Sequence, residues 1–452
     1  MATTYYVSGN GSDTANTGLS PTSAYQNIQT AINKMVSGDT LYLLAGTYTR
    51  SGGYIGAISG LSNISILRYQ SQTPVLQITN GNWSALSING CTNVVIDGLT
   101  IIGTSAAVSP SYAAAGANNT TDPITGHSGI TVTYNGTLNS SHVIVRNCTI
   151  SNCSAAGMQF VQVDYLTILN NTVYGCCNWS PGNPQAILIS QLANYDSGAG
   201  YRITCQKNIV HNNQSKIASV NTGRISEGHG ITIYNGYDSA GNQYNGKILI
   251  AENICYSNGK EGIFCFTGAT QVDVVNNTLY QNGIDFTTSG SPESDLCFYN
   301  WTHANGCNNI IYALTGNPCN KISYSIDITL DRTLAYNGAF VAADIPFPIG
   351  LVNIIGQDPK FVSPSTGNFA LQAGSPAVDN GSSAYDAYLT TAPYNGDGVG
   401  ATPQRDIGAL EYTGTPTPTP TIILITSTPS VITTTTTRTV IDSQYTIGYV
   451  AV

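Results

Sequence analysis

An all-β solenoid is the fold this sequence predicts, and three observations carry it. A short phrase returns with small changes: VIVRNCTISNC from Val143, LTILNNTVYGC from Leu166, ITCQKNIVHNN from Ile203, ILIAENICYSN from Ile248, VDVVNNTLYQN from Val272 and CNNIIYA from Cys307. Each copy alternates apolar and polar residues with the period of a strand. The spacing between copies varies, which marks loops inserted at the sides of stacked coils. Coils of such a fold stack at ~4.8 Å, so residues in one column of the repeat touch.

The columns follow from the alignment. Ile150, Val173, Val210, Cys255, Leu279 and Ile311 point inward. The next position points outward and holds Ser151, Tyr174, His211, Tyr256, Tyr280 and Tyr312. Two places before the inward column stand Cys148, Asn171, Asn208, Asn253, Asn277 and Asn309, where stacked amides can hydrogen-bond from coil to coil at a bend. A second strand per coil reads GMQFV from Gly157, AILIS from Ala186, GITIY from Gly230, GIFCF from Gly262 and DLCFY from Asp295. Its outward end carries Val161, Ser190, Tyr234, Phe266 and Tyr299.

Composition narrows the partners. Only 9% of residues are charged, against a usual ~25%. Asn, Ser, Thr, Gly and Tyr must therefore cover the surface. A net charge of −9 argues against nucleic acid as a partner, because phosphate binding needs Lys and Arg in patches. No apolar run is long enough to span a bilayer. The opening MATTYYVSGNGSD enters a strand at once without an apolar secretory segment, so an extracellular or surface-exposed location implies a signal outside this numbering or another export route.

The 11 cysteines show no zinc-type pair. Cys153 and Cys176 share a column in consecutive coils, which suits either a disulfide or two small apolar spacers. Among the Asn-X-Ser/Thr sequons, Asn118, Asn178 and Asn300 lie in expected loops. Asn63, Asn82, Asn135 and Asn213 are further glycosylation candidates.

Residues 1–60 read as a cap. AYQNIQTAINKM from Ala24 places Ile28, Ile32 and Met35 on one helical stripe that can close the open end of the first coil. Residues 61–412 form the solenoid, irregular after about residue 314. Residues 413–420 are a stiff Pro/Thr linker. Residues 421–452 are β-prone, nearly uncharged and too short to fold alone.

YYVSGNGSD, IQTAIN, SGDTLYLLAGTY and the closing DPKFV, LQAGSPAVD and DIGALEY together resemble the right-handed parallel β-helix proteins of the pectate-lyase-like and chondroitinase-B-like superfamily. EGHGITIYNG and the segments after it look like a secreted branch of that group. The resemblance spans roughly residues 4–412 and implies the fold. It leaves activity open, because this scaffold hosts lyases, hydrolases, tailspikes and structural rods.

A lyase of the group implies a Lys or Arg base and calcium held by clustered carboxylates. The column before the second strand reads Ala156, Gln185, His229, Glu261 and Ser294, so His229 and Glu261 should stand side by side, with Lys260, Glu227 and Arg224 near. Such a set suits acid/base work or is a solvated polar turn. Lys207 beside Glu252 reads as a surface ion pair. No dense Asp cluster marks a calcium site in the repeats. Asn395-Gly396-Asp397-Gly398 reads as a turn or a calcium loop. Two aromatic ladders, Tyr174, Tyr256, Tyr280 and Tyr312, and Tyr234, Phe266 and Tyr299, suit a sugar chain, a subunit interface or simple coil stacking.

The leading expectation from sequence is a glycosylated structural subunit of an extracellular filament or fibre, docking on its own copies through residues 421–452, with no cofactor. The alternatives are a secreted polysaccharide lyase or hydrolase using Lys260, His229 and Glu261, with calcium if a lyase, and a non-catalytic glycan-binding module.

Overall fold

The computed structural model describes residues 2–285, 293–340, 352–394 and 404–414. The linker beyond 414, the tail 421–452 and the Asn395–Gly398 turn lie outside the described residues. The described strands wind as a three-faced parallel coil. In one coil, Met158–Val161 lies on the first face, Val163–Leu169 on the second and Thr172–Tyr174 on the third. Each pairs in parallel with its counterpart one coil on, as Met158↔Ile187, Leu166↔Ile203 and Val173↔Val210 show. The long strands Ile263–Val275 and Leu296–Cys307 run through the corner between the first two faces.

The columns read from the sequence are the columns of the structure. Ile150, Val173, Val210, Cys255, Leu279 and Ile311 are all fully buried. Withdrawing each large apolar side chain contributes ~1.5–3 kcal/mol, and the stack forms one continuous core. The Asn column is a ladder: each Nδ2 donates to the next Oδ1 at 3.0 Å from Asn171 through Asn208, Asn253 and Asn277 to Asn309. The residue before each rung turns the corner in the left-handed region, at Asn170, Lys207, Glu252, Asn276 and Asn308. Among residues with a side chain Asn tolerates that conformation best, which explains the pairs Asn170-Asn171, Asn276-Asn277 and Asn308-Asn309. A second ladder runs Asn213, Asn258, Asn282 and ends on the Asp295 carboxyl group at 2.7 Å.

The cap helix is one short turn, Ile28–Ile32, packed on the first coil with Met35 buried beside it. Several expectations need correction. Glu252 makes no surface pair with Lys207. Its carboxylate is buried and accepts from the Thr390 and Thr391 amides at 2.9 and 2.8 Å, clamping the irregular C-terminal segment onto the coils. Cys153 and Cys176 are adjacent buried thiols without a bridge. Asn82, Asn178 and Asn213 are buried and hydrogen-bonded, so they offer no free amide to a glycan. Asn63, Asn118, Asn135 and Asn300 are exposed.

Candidate active site

The charged turn before the first-face strands forms the floor of a cleft of about 490 Å³. Pairing of Ile231 with Ile263 sets His229 beside Glu261, and pairing of Ile263 with Leu296 sets Lys260 beside Glu293. Gly230 and Gly262 carry the chain from this turn into the strands. A Cβ on Gly230 would stand 2.5 Å from the Gly262 carbonyl, so the coils close up only without side chains there.

His229 is the hub. Its Nδ1 lies 2.9 Å from Glu261 Oε2 and its Nε2 3.9 Å from Glu227 Oε2. The first contact is close but off the line of a good hydrogen bond. The ring stacks on Phe264 at 4.6 Å and 14°. Gln185 Nε2 donates to Glu227 Oε2 at 2.5 Å and Ser226 Oγ to its Oε1 at 3.0 Å. The Lys260 ammonium donates to Glu293. These side chains are nearly withdrawn from water: 3% exposed for Lys260, 5% for Glu261, 6% for His229, 11% for Glu227 and 13% for Glu293.

Burial and neighbours push the carboxyls apart. Burial raises Glu227, and the His229 ring only partly offsets it. Burial and then the Glu261 charge raise Glu293 against the pull of Lys260. Burial works to raise Glu261 too, but His229 and Lys260 outweigh it and hold that carboxyl below its ordinary range. One cleft thus shifts neighbouring carboxyls in opposite directions, the tendency an acid/base pair uses. Arg224 and Lys321 also line it. Among the described residues, no group of three His, Cys, Asp or Glu side chains is arranged to hold a metal ion.

The structure therefore unites Lys260, His229 and Glu261 as the sequence suggested. Sequence reasoning missed Glu293, Lys321 and Phe264. Their signals were the neighbouring columns: Glu293 stands one coil after Lys260, and Phe264 and Lys321 flank Cys297.

The two aromatic ladders have different surroundings. Tyr234, Phe266 and Tyr299 stack at 5.0 and 5.2 Å along the wall of the cleft, and Tyr324, 77% exposed, extends the row. On the third face, Tyr174, His211 and Tyr256 stack at 5.1 and 4.6 Å, with burial lowering His211 to about 4. Beyond His211 that ladder is covered. The hairpin of Phe361–Ser363 and Asn368–Leu371 lays Phe369 against Tyr256 and Tyr280, and Tyr312 and Tyr336 complete the same apolar cluster. Tyr256, Tyr280 and Tyr312 are packing residues rather than an open platform.

A family profile described as the right-handed β-helix region matches residues 75–279. No curated protein sequence matches the chain. Among solved structures, a pectate lyase, Pel9A, is similar at 17% identity and a TM-score of 0.53, over 91% of this chain and 97% of that one. A rhamnogalacturonan lyase is similar at 13% identity and a TM-score of 0.40, over 80% and 91%. The Dettilon tailspike protein is similar at 14% and 0.44, over 79% and 70%. At such identities the likeness speaks to fold alone. The profile over residues 75–279, the Pel9A likeness and the three parallel faces with their matched columns make the fold of this chain a right-handed parallel β-helix.

Proposed function

We propose that this protein cleaves an acidic polysaccharide in the cleft around His229. The observation that carries the reading is the burial of Glu227, His229, Lys260, Glu261 and Glu293 together, beside an open aromatic row, in a chain with only 9% charged residues. Withdrawing ions from water costs several kcal/mol each before pairing. A cluster that shifts its own ionisation in a cleft is how active sites are built. The filament reading rests on the low charge, the lack of a catalytic cluster legible in the sequence and the β-prone residues 421–452, and the buried charge cluster shifts the preference to catalysis.

The roles follow from the chemistry. Arg224, Lys260 and Lys321 supply the positive charge that meets a uronate carboxylate. His229, held against Phe264 and beside Glu261, takes the proton on the carbon next to that carboxylate. The electron pair left behind forms a carbon–carbon double bond as the glycosidic C–O bond breaks. Glu227, whose ionisation burial raises, gives its proton to the departing oxygen. Hydrolysis is the second reading, favoured by the same carboxyl pair, with Glu227 as acid and Glu261 activating water. Either chemistry meets its polymer outside the cell.

The test is incubation with polygalacturonate, alginate, hyaluronan and chondroitin sulfate, reading new reducing ends and the ultraviolet absorbance of unsaturated uronate, with and without chelator. Elimination gives both signals, insensitive to chelator. Reducing ends alone indicate hydrolysis. Neither signal on any polymer would sink the reading.

A further inference from the structure

The first face carries a second hollow, of about 390 Å³, lined by Tyr54, Trp83, Ser87, Asn89, Thr131 and Gln159 among others, none of them charged. It repeats the columns of the charged cleft. Ser128 on its rim belongs to the column of His229 and Glu261, and Thr133 to that of Phe266 and Tyr299. From the strand Ser128–Thr133 to the strand Ile263–Val275 are four strand steps, about 19 Å along the axis. The strand Ile187–Ser190 lies between the two hollows on the same face.

We infer that this hollow is a distal sugar subsite, and that one polysaccharide chain runs along the face through both hollows. The inference rests on the reading of the charged cleft as a saccharide site. Its own support is chemical and geometric. An indole and a phenol offer the apolar faces on which the C–H side of a sugar ring lies. Hydroxyls and amides around them suit the sugar's own hydroxyls. The platform is held in place. Gly126 ends the short helix Pro123–Gly126, and a Cβ there would stand 3.1 Å from the Trp83 ring, so the indole leans on that helix. His127 fixes the helix. Its Nδ1 donates to the Pro123 carbonyl at 3.1 Å, and its Nε2 accepts from the Thr104 and Ser154 amides at 3.2 and 3.1 Å. A short sugar reaches one hollow; only a polymer reaches both.

Tryptophan fluorescence reads the site directly. Of the three tryptophans, Trp179 and Trp301 are 8% and 1% exposed, and Trp83 is the half-exposed one. The four acidic polymers above, and the disaccharide of each, are titrated into full-length protein carrying Glu227→Gln to prevent turnover. The expected result is an emission change with at least one polymer, absent in Trp83→Phe and needing a much higher concentration of its disaccharide. Trp83→Ala and Tyr54→Ala should each raise KM for that polymer roughly fivefold to tenfold in the otherwise native protein, leaving kcat unchanged. Cleavage with unchanged emission and unchanged KM would overturn the subsite and keep the catalytic reading. Emission change without cleavage by the native protein would keep the subsite and overturn catalysis. No response to any polymer would overturn the subsite.

Discussion

The two aromatic ladders began as the same signal and ended as different structures. Both stack outward-facing rings on consecutive coils. On the third face, the hairpin of Phe361–Ser363 and Asn368–Leu371 covers the row from Tyr256 to Tyr336. On the first face, Tyr234, Phe266, Tyr299 and Tyr324 stay open beside buried charge. The lesson is that a solenoid column tells which rings are neighbours, and the non-repeating segments tell which rings are free. Exposure in this fold is decided by what folds back over the coils.

The comparison can be broken most strongly at the charged floor. Glu227→Gln should cut turnover by roughly 10²–10⁴-fold while leaving the melting temperature near that of the native protein. A full-rate variant would remove Glu227 from the mechanism. Native activity should also fall as pH rises through the raised ionisation of Glu227, because the proton donor is lost; a pH–rate profile checks the sign.

The covered ladder should answer through stability instead. Phe369→Ala should cost ~3–5 kcal/mol in denaturant unfolding, since it empties a packed cluster. Its partner experiment, Phe266→Ala, should cost well under that and weaken glycan binding. Equal stability losses for the two variants would erase the distinction between faces.

A smaller effect belongs to the end of the second Asn ladder. Burial raises the Asp295 carboxyl to about 8, with the Asn282 hydrogen bonds opposing. The folded state thus holds a proton that the unfolded chain releases near pH 4. Stability from this group is present at low pH and declines as pH rises from about 4 toward 8. Asp295→Asn keeps an accepting oxygen for Asn282 and removes the ionisation. Melting temperatures across that range should flatten in the variant; an unchanged slope would remove Asp295 as the cause.

Much of this is legible in the sequence. The repeated phrase set the columns, and the columns put His229 against Glu261. Glu293 could have been read one column away from Ser294, but the sequence gives no sign that Lys260 folds down onto it. The covering hairpin was not legible, because residues 352–394 carry no repeat and their partners are distant in sequence. Glu252 shows the same limit: its column looks solvated until Thr390 and Thr391 arrive over a hundred residues later. The Cys153–Cys176 pairing was ambiguous because a core column and a disulfide column have the same spacing.

The measurement that tests the account most directly is affinity electrophoresis in gels cast with the four acidic polysaccharides, comparing native protein, Phe266→Ala and Tyr280→Ala. The account expects at least one polymer to retard the native protein and the folded Tyr280→Ala variant equally, and to retard Phe266→Ala much less. Retardation lost in Tyr280→Ala and kept in Phe266→Ala would contradict it, because the sugar would then be meeting the face that the chain itself covers.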